Sequence, residues 1–409
     1  MVQEFKKVGV VGLGTMGAGI VEVFARAGFS VTGVEIDDGA LDRGRGHLEK
    51  SLGRALSKQK ITEEEHGAIL GRLTFTTSRE ELADADFVVE AVPERIDIKR
   101  DVFTDLDRIC PPGTILATNT SSLSVTEIAA LTNRPDKVVG LHFFNPAPVM
   151  KLAEIVGTVL TTPGTIEVAS EVAKRIGKTP VVVTDRAGFV ANALLVPYIN
   201  DAVKAYEYKY ASREEIDASV TKAAGFPMGP LTLADLVGLD VCLAVMDVLW
   251  EEFREPRYVA APLLRRMVAA GLLGRKSGRG FYDYSGADNP PEELPQGAIA
   301  TQLRDEGNDD CDLAGLLLVP HINDAMRMVG QGYATAQDVD TAMRFGCGYP
   351  KGPVELLEEI GVEKVAEDHF QLTNNGLIPF SLPAPLILDK LPEIDEDDDE
   401  GCCQGSARS

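Results

Sequence analysis

The sequence predicts an α/β domain with a doubly wound parallel sheet, followed by two tandem all-α domains. Over residues 1–187, short β-branched runs alternate with stretches of helical periodicity, a pattern typical of parallel βαβ units. Strand patterns stop after Gly188, and the later segments have helical spacing. The helical part then repeats itself, because LLVPYINDA (194–202) returns as LLVPHINDA (317–325). A chain of 409 residues has room for several such domains.

Eight strands are predicted in the first domain, each four to eight residues long. Their sequences are KKVGVVG, SVTGVEI, RLTFTT, DFVVEAV, TILATN, KVVGLHFF, KLAEIVG and TPVVVTD. Only NPAPVM separates KVVGLHFF from KLAEIVG, which is too short for a crossover helix. We therefore expect these two strands to be antiparallel neighbours that extend the sheet.

The helical unit is duplicated at an offset of 123 residues. Aligned without gaps, residues 191–238 and 314–361 are identical at 18 of 48 positions, and GFPMGP returns as GYPKGP. The predicted units are the α/β domain at 1–187, the first helical domain at 188–284, a linker at 285–310, a degenerate helical repeat at 311–392 and an acidic disordered tail at 393–409.

The composition excludes several classes of function. A net charge of −23 disfavours binding to nucleic acid, because the chain repels phosphate backbones. No apolar stretch is long enough to cross a membrane, and the N-terminus enters a strand without room for a signal peptide. We therefore expect a cytoplasmic protein. The cysteines and histidines lack metal-ligand spacing, so we expect no metal site.

A glycine-rich turn, GLGTMG (12–17), follows the first predicted strand and opens a helix. Such a turn lets the backbone approach a pyrophosphate at the positive end of a helix. The second strand ends at Glu35, an acid that can bond the ribose hydroxyls and would repel a 2′-phosphate. The context predicts a Rossmann-type domain that prefers NAD to NADP. The alternative is a glycine turn beside a solvated strand end.

His142 lies at the end of one strand, and Glu154 lies on its predicted antiparallel neighbour. A hairpin brings residues at this separation within hydrogen-bond range. A carboxylate on one imidazole nitrogen makes the other a stronger base. The segment TNTSSLS (118–124) follows another strand at the carboxyl edge, where doubly wound sheets bind ligands. The alternative is a structural histidine within a strand.

A basic stripe interrupts this acidic chain at residues 43–60, where the local net charge is +5. Its basic side chains recur at helical spacing, namely Arg43, His47, Lys50, Arg54 and Lys58. The apolar side chains of the opposite face are Leu41, Leu48, Leu52 and Ala55. The stripe suits an anionic ligand, and the alternative is an ordinary solvated helix face.

Seven motifs in this order make the chain resemble the L-3-hydroxyacyl-CoA dehydrogenases, which include 3-hydroxybutyryl-CoA dehydrogenases of fatty-acid and butyrate metabolism. They are GLGTMGAG, FVVEAVPER, NTSSLS, HFFNPAPVMKL.E, GFVANALLVPY, GFPMGP and GRKSGRGFYDY. The resemblance covers residues 5–284 and, in part, the repeat. It implies NAD-dependent oxidation of a (3S)-3-hydroxyacyl-CoA to a 3-oxoacyl-CoA, leaving the acyl chain length open.

The resemblance also implies roles for individual residues. His142 would be the general base, Glu154 would orient it, and Ser121 and Asn192 would bind the substrate oxygens near C1 and C3. The residues implied to bind NAD are Gly12, Leu13, Gly14, Thr15, Met16, Gly17, Glu35, Glu94, Lys99, Asn145 and Lys276. The residues implied to contact the acyl-CoA are Ser51, Lys58 and Ser121. For Glu94 and Lys99 the alternative is a charged helix start.

Two other functions remain open at this point: a dehydrogenase of a free sugar acid, and a non-catalytic NAD-binding protein. The second helical copy has Gly315 where the first has Asn192, and it lacks a counterpart of GRKSGRGFYDY (274–284). It keeps residues that packing needs and lacks those that chemistry needs. We therefore expect an intrachain pseudo-dimer of the two helical copies, in a monomer or weak homo-oligomer.

Overall fold

The computed structural model of the protein describes residues 5–286, 313–377 and 382–391. Most of the predicted linker and all of the predicted acidic tail lie outside these ranges. The described part forms an α/β domain followed by two groups of helices, which confirms the predicted fold class. No helix in these ranges is both long enough and apolar enough to cross a membrane.

The α/β domain is built on one eight-stranded sheet with the order β3-β2-β1-β4-β5-β6-β7-β8. The strands are β1 (Lys7–Val11), β2 (Ser30–Val34), β3 (Leu73–Thr76), β4 (Phe87–Glu90), β5 (Ile115–Thr118), β6 (Val138–Phe143), β7 (Leu152–Gly157) and β8 (Thr179–Thr184). All neighbouring strands are parallel except β6 and β7, which are antiparallel as predicted. The strand order reverses between β1 and β4, and a doubly wound sheet binds its ligands at the carboxyl edge of that point.

Helices connect these strands and cover both faces of the sheet. They are α1 (Thr15–Arg26), α2 (Asp38–Ser57), α3 (Glu63–Leu70), α4 (Ile96–Ile109), α5 (Val125–Ala129) and α6 (Pro163–Arg175). Helix α2 begins where the Asp37 carboxylate accepts a hydrogen bond from the Ala40 amide at 2.7 Å, an arrangement that satisfies a free helical N–H group. Its basic stripe therefore lies on a regular helix.

The two helical copies follow. The first copy contains α7 (Ala191–Glu207), α8 (Arg213–Ala223), α9 (Pro230–Val237), α10 (Leu239–Phe253) and α11 (Pro262–Ala269). The second contains α12 (Leu313–Gly330), α13 (Ala336–Cys347), α14 (Pro353–Ile360), α15 (Val362–Asn374) and α16 (Pro385–Leu388). Equivalent side chains make equivalent bonds: Asn200 accepts from the Ala261 amide at 2.8 Å, and Asn323 accepts from the Ala384 amide at 2.6 Å.

The copies pack on each other through equivalent positions. The Phe226 ring stacks on Tyr349, its counterpart, with ring centres 3.9 Å apart. Helix α7 packs on α12 and α13, and α12 packs on α8, so each copy uses the same pair of helices. Apolar side chains of both copies belong to one buried cluster, which also includes Leu152 and Val156 of β7. The contact is therefore reciprocal, as in an interface with twofold symmetry.

Candidate active site

A cavity of about 810 Å³ lies at the carboxyl edge of β1, β2 and β4. Its walls include Gly12, Gly14, Thr15, Met16 and Glu35 from the predicted dinucleotide site. The backbone of Gly12 has φ +89°, and a Cβ atom there would lie 2.8 Å from the carbonyl group of Ala91. Only glycine allows this approach, so the turn leaves the start of α1 open to a ligand.

Two residues of the glycine turn build the loop and do not line the cavity. The Leu13 side chain is buried, and its backbone amide donates to Glu35 Oε1 at 2.6 Å. A Cβ atom on Gly17 would lie 1.8 Å from the Gly12 carbonyl oxygen, so only glycine fits. Glu35 thus ties the end of β2 to the turn after β1, and its carboxylate stands at the cavity wall.

These residues fit the adenosine half of NAD. The chemistry matches point by point: helix α1 offers free N–H groups for a pyrophosphate, and Glu35 offers acceptors for ribose hydroxyls. Ile36, whose side chain is 83% exposed, lines the same cavity and offers an apolar surface for a flat base. Arg43, from the basic face of α2, also lies in the cavity wall.

His142 and Glu154 stand directly opposite each other on the antiparallel strands β6 and β7. Glu154 Oε2 lies 2.7 Å from His142 Nδ1, and both side chains are buried. Glu154 Oε1 accepts hydrogen bonds from the amides of Val190 and Ala191, at 3.1 and 2.9 Å. These amides open α7, whose N-terminus favours a negative charge. The carboxylate is therefore fixed from two sides and holds the imidazole in one orientation.

Aromatic rings enclose the imidazole. The ring centre of His142 lies 4.6 Å from that of Phe144 and 5.6 Å from that of Phe189. Asn192 is half-buried and follows Ala191, whose amide binds Glu154, in the first turn of α7. With Nδ1 bound to the carboxylate, Nε2 is the imidazole nitrogen that remains for a substrate.

Glu94 fixes the loop that carries Ser121. Its Oε1 accepts hydrogen bonds from the amides of Ser121 and Ser122, at 2.8 and 3.0 Å, and from the Thr120 hydroxyl. Burial would raise the pKa of the Glu94 carboxyl, but the charge of Lys99 and these hydrogen bonds hold that pKa below its usual range. An ionised Glu94 thus sets the backbone that presents Ser121.

Lys99 lies in a different setting from the direct cofactor contact that the resemblance implies. Its side chain is only 1% exposed, and its ammonium lies 2.7 and 2.9 Å from the two carboxylate oxygens of Glu90. Glu90 is the last residue of β4 and also accepts a hydrogen bond from the Thr118 hydroxyl at 2.7 Å. Its carboxylate therefore holds the lysine ammonium in a buried position at the edge of the sheet. The ammonium reaches Glu94 at 3.3 Å. Lys99 thus links the end of β4 to the glutamate that holds the Ser121 loop.

Asn145 and Lys276 lie outside the cavity wall described above. Asn145 is exposed at the start of the loop after β6, at the same carboxyl edge as the histidine. Lys178 supports that loop by donating from its ammonium to the Ala147 and Met150 carbonyls, at 2.5 and 2.6 Å. Lys276 belongs to the first helical copy and pairs with Asp240. The structure thus does not bring Lys276 to the glycine turn.

Helix α2 has the two faces that its sequence predicts. The four predicted apolar side chains of the opposite face are buried, whereas Arg43, Lys50 and Arg54 are exposed. Ser51 is half-buried beside them, and Lys58 is exposed at the C-terminal end of the helix. Arg43 lines the dinucleotide cavity, so the basic stripe begins at that cavity and leads away from it.

Three residues that contribute to this region were not predicted from the sequence. Glu90 could have been found, because an acid at the end of the apolar strand FVVE needs a buried partner. Asn119, whose side-chain oxygen accepts from the Phe143 amide at 2.9 Å, joins the ends of β5 and β6. No sequence signal singles out Phe144 among the apolar residues. Among the described residues, no group of three or more side chains could hold a metal ion.

Comparison with known proteins places this geometry in a family. The model for the 3-hydroxyacyl-CoA dehydrogenase NAD-binding domain matches residues 7–186, and the model for the C-terminal domain of the same enzymes matches residues 188–284 and 316–376. The chain therefore belongs to the 3-hydroxyacyl-CoA dehydrogenases, a family of NAD-dependent oxidoreductases, as its motifs predicted. The second match within the repeat agrees with a degenerate copy of the C-terminal domain.

Individual relatives agree with this assignment. The chain is 49% identical to a 3-hydroxybutyryl-CoA dehydrogenase of Clostridioides difficile over 279 residues, which cover 68% of this chain and 99% of the relative. It is 34% identical to a 3-hydroxyadipyl-CoA dehydrogenase of Escherichia coli over 89% of this chain and 93% of the relative. The crystal structure of an E. coli 3-hydroxybutyryl-CoA dehydrogenase superposes with a TM-score of 0.86, at 32% identity, covering 95% and 98% of the two chains.

Proposed function

We propose that this protein oxidises (3S)-3-hydroxybutyryl-CoA to acetoacetyl-CoA with NAD, or catalyses the reverse reduction. The hydrogen-bonded pair of His142 and Glu154, at the carboxyl edge of the sheet that forms the dinucleotide cavity, is the observation that carries the proposal. The names of the similar proteins support the substrate. The buried free thiols of Cys110 and Cys242 support a reducing location such as the cytoplasm.

Proton transfer is the task of His142. Nε2 takes the proton of the 3-hydroxyl group as the oxygen becomes a carbonyl. NAD, held at the glycine turn and Glu35, would supply the acceptor for the hydride that leaves C3. The imidazolium that forms is stabilised by Glu154, which already holds Nδ1 at 2.7 Å. In the reverse direction the imidazolium returns the proton to the developing alkoxide. Two amides at the start of α7 hydrogen-bond to Glu154 and hold its carboxylate in place beside the imidazole.

Ser121 and Asn192 hold the substrate oxygens in this proposal. Ser121 lies on the loop fixed by Glu94, and Asn192 lies at the start of the helix that fixes Glu154. Each polar side chain thus stands on backbone that a carboxylate already holds by hydrogen bonds. Donors held in place before the reaction stabilise charge on an oxygen at little reorganisation cost.

Coenzyme A lies along the basic face of α2 in this proposal, with Ser51 and Lys58 among its contacts. The exposed basic side chains of that face support it, because the rest of the chain is strongly acidic. On the cofactor side, Asn145 and Lys276 act near the nicotinamide half, and Glu94 and Lys99 act by shaping the loop between the two ligands.

We also propose that the two helical copies form an intrachain pseudo-dimer with one active site. The reciprocal packing of Phe226 on Tyr349 supports it. Arg257 supports it as well, because its guanidinium bonds both Asp201 and its counterpart Asp324, at 2.5 and 2.7 Å. A surface filled from within the chain cannot recruit a second subunit in the same way, so the protein is a monomer or associates weakly elsewhere.

A steady-state assay of the purified chain tests the proposed function. We expect NADH oxidation with acetoacetyl-CoA and little with free acetoacetate, because only the thioester carries the coenzyme A that the basic helix binds. A lower kcat/KM for 3-oxoadipyl-CoA than for acetoacetyl-CoA would support the short-chain substrate. Turnover of a free 3-oxo acid in preference to the thioester would identify a free-acid dehydrogenase, and NADH binding without turnover of any substrate would identify a non-catalytic protein.

A further inference from the structure

The second helical copy packs on the α/β domain as well as on the first copy. Its helix α13 lies against strands β7 and β8. Leu152, Glu154 and Val156 alternate along β7, so their side chains leave the strand on one face. Leu152 and Val156 are fully buried in the cluster that both helical copies share. The face covered by the helical copies is therefore the face on which Glu154 bonds His142.

The last turn of α13 contacts the side chains that surround this pair. A Cβ atom placed on Gly346 would lie 2.7 Å from Leu152 Cδ2, so that the Leu152 side chain would have to move, and 3.4 Å from Phe144 Cε1, which is van der Waals contact. Leu152 is two residues before Glu154 on β7, and the Phe144 ring packs on the His142 ring at 4.6 Å. Gly346 is thus separated from each member of the pair by one side chain.

Cys347 is the next residue and the last of α13. Burial raises the pKa of the Cys347 thiol, and the negative charge of Glu154 raises it further, which agrees with the position of the helix end that the Gly346 contacts show.

The first helical copy provides an internal comparison. The position equivalent to Gly346 is Ala223 at the end of α8, and Ala223 is exposed. Over the residues that the structure describes there is one sheet, and the end of α13 lies against it, whereas the equivalent Ala223 at the end of α8 is exposed. The contact made at Gly346 is therefore not repeated at Ala223.

We propose that the last turn of α13, at Gly346 and Cys347, is a positioning element of the active site. It closes the sheet face beside His142 and Glu154 and holds Phe144 and Leu152 against them. The degenerate copy then contributes to catalysis, although Gly315 stands where the first copy has Asn192. This inference rests on the proposed function, in which His142 is the general base.

Substitution of Gly346 in the full-length protein tests it. Gly346→Val pushes on Leu152 and Phe144 and shifts the imidazole, so we expect kcat with acetoacetyl-CoA to fall by about ten- to a hundredfold. The dissociation constant of NADH should stay within about twofold, because the glycine turn lies on other strands. For 3-hydroxybutyryl-CoA oxidation, the acid limb of the kcat profile should move to lower pH, because an imidazole paired less closely with a carboxylate holds its proton less tightly.

Two further variants distinguish positioning from general damage. Gly346→Ala adds one methyl group and a residue that favours helices, so kcat should fall less while the melting temperature does not fall. Ala223→Val, at the exposed equivalent position, should leave kcat unchanged. A Gly346→Val enzyme that matches Ala223→Val in kcat and pH profile would overturn the inference, as would kcat, NADH affinity and melting temperature falling together in both Gly346 variants. An inactive wild-type protein would instead refute the proposed function.

Discussion

At the scale of single residues, the site depends on charges that the backbone holds in place. Glu154 accepts hydrogen bonds from two backbone amides at the start of α7, and Glu94 accepts hydrogen bonds from two backbone amides of the Ser121 loop. Glu35 accepts a hydrogen bond from the backbone amide of Leu13. In each case a carboxylate on or after a strand accepts hydrogen bonds from the backbone of another segment and is thereby oriented. Preorganised groups of this kind need little rearrangement during a reaction.

Loss of the carboxylate at Glu154 should impair catalysis without impairing cofactor binding. We expect Glu154→Gln to lower kcat by about two to four powers of ten, because the imidazole loses the charge that stabilises its protonated form. His142→Gln should have an effect of similar size. Steady-state kinetics gives kcat, and fluorescence titration gives the NADH dissociation constant, which should barely change. Near-full turnover by either variant would show that the assignment of the base is wrong.

Glu35 should determine the choice between NADH and NADPH. Its carboxylate would repel a 2′-phosphate, whereas Arg43 in the same cavity wall would attract one. We expect Glu35→Gln to weaken NADH binding and to narrow the gap in kcat/KM between the two cofactors. When Arg43→Gln is added to the Glu35→Gln variant, the difference in kcat/KM between NADH and NADPH should increase again. A wild-type protein with higher kcat/KM for NADPH would contradict this interpretation.

At the scale of elements, the positions of the strands were the part of the fold that the sequence predicted best. All eight strands appear where β-branched runs predict them, and the short NPAPVM connection correctly predicted that His142 and Glu154 face each other. The burial of Lys99 could not be predicted, because PERIDIKRD has the pattern of an exposed helix start. The contact of Gly346 with Phe144 depends on how domains 200 residues apart pack, and local periodicity does not encode that.

The interface between α7 and α12 should give the protein a pH-dependent stability. His321 of α12 is fully buried, 5.2 Å from its counterpart Tyr198 between ring centres. Burial, and then the charge of Arg257, lower its pKa from 6.5 to about 4, whereas the Leu194 backbone and the charge of Asp201 act in the opposite direction more weakly. As pH falls from 6.5 towards 4, His321 binds a proton in the unfolded chain but stays neutral in the folded chain. The free energy of unfolding therefore decreases.

Denaturant titrations of wild type and His321→Phe at pH 7 and pH 5 measure this effect. His321 should account for a loss of about 2 kcal/mol between these two values, because one unit of pKa difference corresponds to about 1.4 kcal/mol. The variant should lose correspondingly less stability on acidification. Equal losses in the two proteins would show that His321 binds its proton equally well in the folded and unfolded states.

At the scale of the whole molecule, the chain combines one dinucleotide-binding sheet with two copies of one helical unit. The first copy supplies Asn192 and the amides that hold Glu154. The second copy covers the first through Phe226 and Tyr349, and covers the sheet through the end of α13. The two copies thus share one apolar contact within a single chain.

Light scattering on the full chain and on a shortened chain ending at Tyr284 tests this account most directly. The full chain should scatter as one molecule of 43.9 kDa, or associate only weakly. At the same concentration the shortened chain should form dimers or larger species, because removal of the second copy exposes the apolar surface around Tyr198 and Phe226. A shortened chain that stays monomeric and keeps the full kcat with acetoacetyl-CoA would contradict the account.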